Sequence, residues 1–160
     1  MGKIINVSSL ENEIKKLRRS KDKIVLVGGC FDILHVGHIE FLKKAKKLNG
    51  TLLVMLESDE KIRELKGSRR PVNSQIDRAY VLAHLKPVDL VLLLPYFKTN
   101  NKYFQLVNTI KPDIIALTKD DPVIRFAKKQ AKEVGAKLVE VIERKNGYST
   151  GEILEKLGDK

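Results

Sequence analysis

The chain has 160 residues, 42% of them apolar, which suits one globular domain able to bury a core unaided. Its single cysteine, Cys30, excludes an intrachain disulfide framework and a Cys-rich zinc module. Thirty-one Lys and Arg against 20 Asp and Glu leave a net charge of +11, which suits polyanions such as nucleic acid, phosphorylated metabolites or anionic lipid, or else a solvated Lys-rich surface.

The first stretch, MGKIINVSSLENEIKKLRRSKDK, lacks the apolar segment of a signal peptide. Ser9 is a candidate cap for a first helix, with Glu11 and Glu13 in its first turn. KIVLVGG (23–29) reads as a buried strand ending in two glycines. Ile39, Leu42, Ala45 and Leu48 recur at helical spacing from about Gly37 to Lys47, and Asn49-Gly50 closes that helix. TLLVMLE (51–57) is the next strand, followed by a short helix from Asp59 to about Lys66 and a basic loop, KGSRRPVN (66–73). Ser74 caps a helix carrying Ile76, Ala79, Tyr80, Leu82 and Ala83. Strands are predicted over 88–94, 112–118 and 136–142, with a helix over 100–110 and another from Pro122 to Gly135. A last helix begins near Ser149.

Short apolar runs alternating with amphipathic stretches predict an α/β fold: a Rossmann-like, doubly wound, five-stranded parallel sheet in a single domain. Residues 1–22 read as an N-terminal helical extension to a domain over 23–160. No apolar run approaches the roughly 18 residues of a membrane span, so a soluble cytoplasmic protein without a membrane partner is expected. Absent Trp and 6% aromatics offer little stacking surface, and nucleic acid is not the expected partner.

Ligands on such sheets bind beyond the carboxyl ends of the strands. There GGCFDILHVGHIEF (28–41) runs from a strand through two glycines into a helix start. Gly28 and Gly29 permit close backbone approach. The helix start near Gly37 offers free N–H groups to an anion, and His35 and His38 share one side of a helical turn. This arrangement suits attack at phosphorus, where charge develops on the equatorial oxygens. A structural histidine pair and a metal-ligand pair are the alternatives; no third His or Cys lies close in sequence to complete the latter. Neither G-x-G-x-x-G nor a Walker A sequence is present. Lys66, Arg69 and Arg70 form a cationic loop suited to pyrophosphate. Asp120 or Asp121 is a candidate helix cap, and Ser149-x-x-Glu152 fits a capping box. Cys30 reads as a small buried side chain rather than a nucleophile.

GGCFDILHVGH resembles the signature of the H-x-G-H nucleotidylyltransferase superfamily, and further segments at 58–92, 114–122 and 143–154 agree in order. The chain looks most like the adenylyltransferase domain of ADP-heptose synthase, with glycerol-3-phosphate cytidylyltransferase and archaeal-type FAD synthetase near. The resemblance implies catalytic roles for His35, His38, Lys66 and Arg144. It implies nucleotide contacts from Gly28, Gly29, Cys30, Phe31, Asp32, Gly37, Arg78, Asp120, Ser149 and Thr150. It further implies Mg²⁺, direct transfer of NMP from an NTP, ATP favoured, to a phosphorylated small molecule such as a sugar phosphate, and a homodimer. Under it Asp32 is an orienting residue, an indirect contact to the Mg²⁺ or a structural residue. Thr118 and Lys119 stand where the family has glycines, and Gly151 where it has Ser or Thr, so the base stays open. CTP with glycerol or ethanolamine phosphate, FAD synthesis, and a non-catalytic nucleotide- or nucleic-acid-binding module are the competing expectations.

Overall fold

The computed structural model describes residues 1–143 and 149–158. Its strands are β1 (Lys3–Asn6), β2 (Ile24–Gly29), β3 (Thr51–Leu56), β4 (Leu90–Leu93), β5 (Ile114–Thr118) and β6 (Lys137–Ile142). Its helices are α1 (Val7–Arg19), α2 (Val36–Lys46), α3 (Asp59–Lys66), α4 (Gln75–Ala83), α5 (Asn100–Ile110), α6 (Ile124–Val134) and α7 (Thr150–Lys156). The strands form one parallel sheet in the order β1-β4-β3-β2-β5-β6.

The expected α/β, Rossmann-like sheet is present with a sixth strand that the sequence reading lacked. That strand, β1, pairs with β4 at the sheet edge and buries only Ile5. Four residues with one buried side chain give neither an apolar run nor an alternation to read. The first helix also starts earlier than expected. Asn6, not Ser9, caps α1, because its side-chain oxygen accepts the Ser9 N–H. The Ser74 cap holds as read, accepting from the Asp77 N–H.

Each sheet face carries its own apolar layer. On one, Leu10 and Ile14 of α1 and Leu106, Val107 and Ile110 of α5 cover Leu26, Leu53 and Leu92. On the other, Phe41, Leu42 and Ala45 of α2 and Ala79 and Leu82 of α4 cover Val25, Val27 and Val54. The central strands are buried on both faces, which is why they read as continuous apolar runs.

Candidate active site

The strand order turns at β2, which sits between β3 and β5. Pairing of β2 with β5 covers only Val25↔Ile114 and Leu26↔Ile115, although both strands run on past it. Their carboxyl ends are thus left open to a crevice, the place where ligands enter doubly wound sheets. The cavity there has a volume of about 480 Å³, within the range of small-molecule sites. Gly28, Gly29, Cys30, Phe31, His35, Gly37, His38, Lys66, Asp120, Ser149 and Thr150 all line it. Eleven residues from distant parts of the chain therefore line one cavity.

The floor depends on Gly29. A Cβ there would come 2.9 Å from the Phe31 ring. Phe31 is buried and has φ +45°, a costly conformation for a bulky residue, held by that packing and by His38, whose ring lies 5.1 Å away.

His35 is the N-cap residue of α2, and its side chain makes no capping bond. One turn on, the His38 ring stacks on it, centroids 3.8 Å apart and planes 25° apart. Both Nδ1 atoms are buried and lack a hydrogen-bond partner among the described residues. Burial, then the His35 ring and the Lys66 charge, push the His38 pKa down to about 3. Burial also lowers His35, against a smaller upward pull from Glu152. Both rings are consequently neutral at pH 7, one N–H donor each. The first-turn N–H groups of α2 have no intrahelical acceptor and point the same way.

The far wall comes from β5, β6 and α7. Asp121, rather than Asp120, caps the turn after β5: its carboxylate accepts from the Thr118 hydroxyl (3.0 Å) and the Val123 N–H (3.0 Å). Asp120, in the left-handed region at φ +57°, lines the cavity. Lys119 bridges to Glu143 at 2.8 Å, tying the ends of β5 and β6 together. Ser149 caps α7, accepting from the Glu152 N–H at 3.1 Å and keeping its own hydrogen to donate. Thr150 is buried, and its hydroxyl donates to the Ile33 carbonyl at 3.4 Å, which joins α7 to the His35 loop. Arg144 lies outside the described residues.

Asp32 and Arg78 do not line the cavity. Asp32, its side chain 1% exposed, accepts from Arg70 Nε (2.5 Å), Val72 N (2.8 Å) and Asn73 N (3.1 Å). It fastens the α3–α4 loop beneath the end of β2. Arg78 is buried and donates to the carbonyls of Cys30, Glu57 and Asn73 and to the Asp59 carboxylate. Both support the loops that carry the site and use their polar atoms on protein. The sequence reading treated Arg69 and Arg70 alike. Arg69 is exposed, whereas Arg70 lines the cavity with its side chain only 11% exposed. Glu143, at the start of the 143–154 segment, also lines it, and so does Leu117, for which lying at a strand end is the only signal. Cys30, read as a small buried side chain, is instead half-buried on the cavity lining, and burial raises its thiol pKa so that it stays protonated at neutral pH.

Residues 26–156 match the cytidylyltransferase-like family model. The chain belongs to that family of nucleotidyltransferases. It is 39% identical over 159 residues to the bifunctional protein HldE of Campylobacter jejuni subsp. doylei, covering 96% of this chain and 32% of that protein. It is 40% identical over 151 residues to the bifunctional protein HldE of Helicobacter pylori, covering 92% and 30%. The chain spans about a third of the length of these relatives. Among solved structures it is similar to the lipopolysaccharide core biosynthesis protein from Thermoplasma volcanium GSS1, at 31% identity and a TM-score of 0.62, over 80% of this chain and 99% of that one. A pantoate-beta-alanine ligase from Francisella tularensis shares the fold at 18% identity and a TM-score of 0.65, over 92% and 69%. No helix among the described residues is long and apolar enough to cross a membrane.

Proposed function

We propose that this chain transfers the NMP group of an NTP, ATP favoured, to a phosphorylated small molecule of the sugar 1-phosphate class, heptose 1-phosphate first, and releases pyrophosphate. The observation that carries this is the neutral, stacked His35–His38 pair at the open end of α2, facing a cavity at the sheet's turning point. The choice of ATP and a sugar phosphate rests on the likeness to HldE, whose name carries the heptose reading only through the resemblance stated above.

In the proposed reaction a phosphate oxygen of the acceptor attacks the α-phosphorus. A bond forms there as the bridging bond to the β-phosphate breaks, and the electron pair leaves with pyrophosphate. His35, His38 and the N–H groups of α2 donate to the α-phosphate oxygens, where charge grows in the transition state. Ser149 and Thr150, with Arg144, hold the β and γ phosphates, and Lys66 follows the departing pyrophosphate from the rim. Asp120 meets the ribose or base. The acceptor already carries a nucleophilic oxygen, so no residue has to form a covalent intermediate.

The Mg²⁺ that we propose is carried by the nucleotide. Among the described residues no group of three or more His, Cys, Asp or Glu could hold a metal. Mg²⁺ is commonly held through substrate phosphates with few protein ligands, which this donor set fits. When bound it screens the triphosphate charge; orientation of the phosphates falls to the residues named above. The proposed catalytic residues all lie within 23–160, with 1–22 as an extension that completes the same sheet and core, and the cytoplasm and a homodimer are the proposed setting.

The test is pyrophosphate release from each of ATP, CTP, GTP and UTP against sugar 1-phosphates, glycerol phosphate, ethanolamine phosphate and FMN. ATP with a sugar 1-phosphate is the expected pair. Turnover confined to CTP with an alcohol phosphate would redirect the assignment. Salt-sensitive oligonucleotide binding with no turnover would replace it with a binding module.

A further inference from the structure

Arg70 has a specific task that its place in a basic loop does not explain. Asp32 holds its Nε at 2.5 Å, while its Nη2 is buried and has no hydrogen-bond partner among the described residues. The side chain is 11% exposed and lines the cavity beside His38 and Lys66. Asp32 is itself pinned by two backbone N–H groups, from Val72 and Asn73, so the carboxylate that holds Nε does not move. The result is a guanidinium held through Nε, with Nη2 left without a partner among the described residues, on a side chain that lines the site. A planar fork of this kind suits a terminal phosphate, which it can grip through two parallel bonds.

From this geometry we infer that Arg70 binds the phosphate of the acceptor and positions its attacking oxygen. The inference rests on the nucleotidyl-transfer reading above. The sheet order separates two anion-binding walls. Ser149 and Thr150 follow β6 on one side of β2, and Arg70 follows β3 on the other. In-line displacement requires the incoming oxygen and the departing pyrophosphate on opposite sides of the α-phosphorus. With pyrophosphate on the α7 side, the acceptor phosphate falls on the Arg70 side. Lys66 ends α3 on that same side, but its exposed, flexible stem lets it reach across to the departing group, whereas Arg70 is tied to Asp32 and serves a group delivered always to one place.

The test is calorimetric titration of inorganic phosphate into the full chain saturated with Mg²⁺ and α,β-methylene-ATP, for the wild type, Arg70→Lys and Arg70→Ala. The wild type is expected to bind phosphate with the nucleotide site filled. Both variants should weaken that binding about 10- to 100-fold, the worth of hydrogen bonds to a charged group, and change the analogue's Kd less than twofold. Arg70→Lys keeps a cation beside Asp32, so it decides the matter if Arg70→Ala does not fold. No phosphate uptake by the saturated wild type overturns the inference. So does a variant that loses the analogue instead, which would make Arg70 a triphosphate ligand, or one that changes neither. Failure of the wild type to bind the analogue is a different result: it removes the nucleotidyl-transfer reading, and with it the acceptor that Arg70 is proposed to hold.

Discussion

The rings of His35 and His38 lie face to face, 3.8 Å between centroids, with both Nδ1 atoms buried and unpartnered. Two positive imidazoles would repel strongly at that separation, and burial disfavours each charge further. The pair is therefore a neutral donor surface in the free protein. Replacing His38 with Ala removes one donor to the α-phosphate and leaves the sheet intact. Turnover should fall roughly 10²- to 10³-fold, with circular dichroism unchanged. A folded variant with near-normal kcat would take His38 out of the mechanism.

The same burial makes stability depend on pH with a defined sign. His38 titrates near 3 when folded and near about 6.5 when unfolded. As pH falls below 6.5 the unfolded chain takes up the proton first. The linked stability is thus full above pH 6.5 and drains between 6.5 and about 3, with a slope of up to about 1.4 kcal/mol per pH unit. His35, also lowered, adds in the same direction. His38→Phe keeps an aromatic ring but cannot titrate, so its urea-unfolding free energy should fall less steeply between pH 6.5 and 4. Parallel profiles would mean the ring is not desolvated.

Arg78 is predicted to matter for folding before it matters for substrate. Removing it orphans the Cys30, Glu57 and Asn73 carbonyls and leaves the Asp59 carboxylate alone. Asp59 keeps 27% of its side chain in solvent, so the loss lies below the roughly 3–5 kcal/mol of a fully buried pair. Arg78→Met should lower the urea midpoint accordingly at an unchanged m-value. Near-wild-type stability combined with a raised nucleotide KM would return Arg78 to direct ligand binding.

The N-terminal residues should be needed for a stable sheet. Without residues 1–22 the β4 edge loses its partner, and the apolar layer loses Ile5, Leu10 and Ile14. An exposed edge beside uncovered apolar surface invites association. A chain starting at Lys23 should aggregate or lose cooperative unfolding. A monomer with the full-length midpoint would show that 23–160 stands by itself.

Legibility of the fold followed burial. β2 and β3 were plain because central parallel strands are apolar throughout, whereas β1, with Ile5 alone buried, left no pattern. The Ser74 and Ser149 caps follow from local chemistry that spacing shows; Asn6 is hidden as a cap because the strand before it, β1, carries no pattern. At the site, the spacing of His35 and His38 put both on one side of a helix, but their stacking and neutrality depend on Phe31 and on the depth of the crevice, which no spacing carries. Arg69 and Arg70 are indistinguishable as letters. What separates them is Asp32, 38 residues before Arg70 and brought beneath it by the fold.

A bound triphosphate is expected to sit with its α-phosphorus against the His pair and the start of α2. A crystal structure with Mg²⁺ and α,β-methylene-ATP tests that placement most directly. An α-phosphate oxygen should lie within hydrogen-bond distance of His38 and the α2 N–H groups, with the β and γ phosphates at Ser149. A nucleotide bound elsewhere, or in this crevice with its phosphates turned away from both rings, would contradict it.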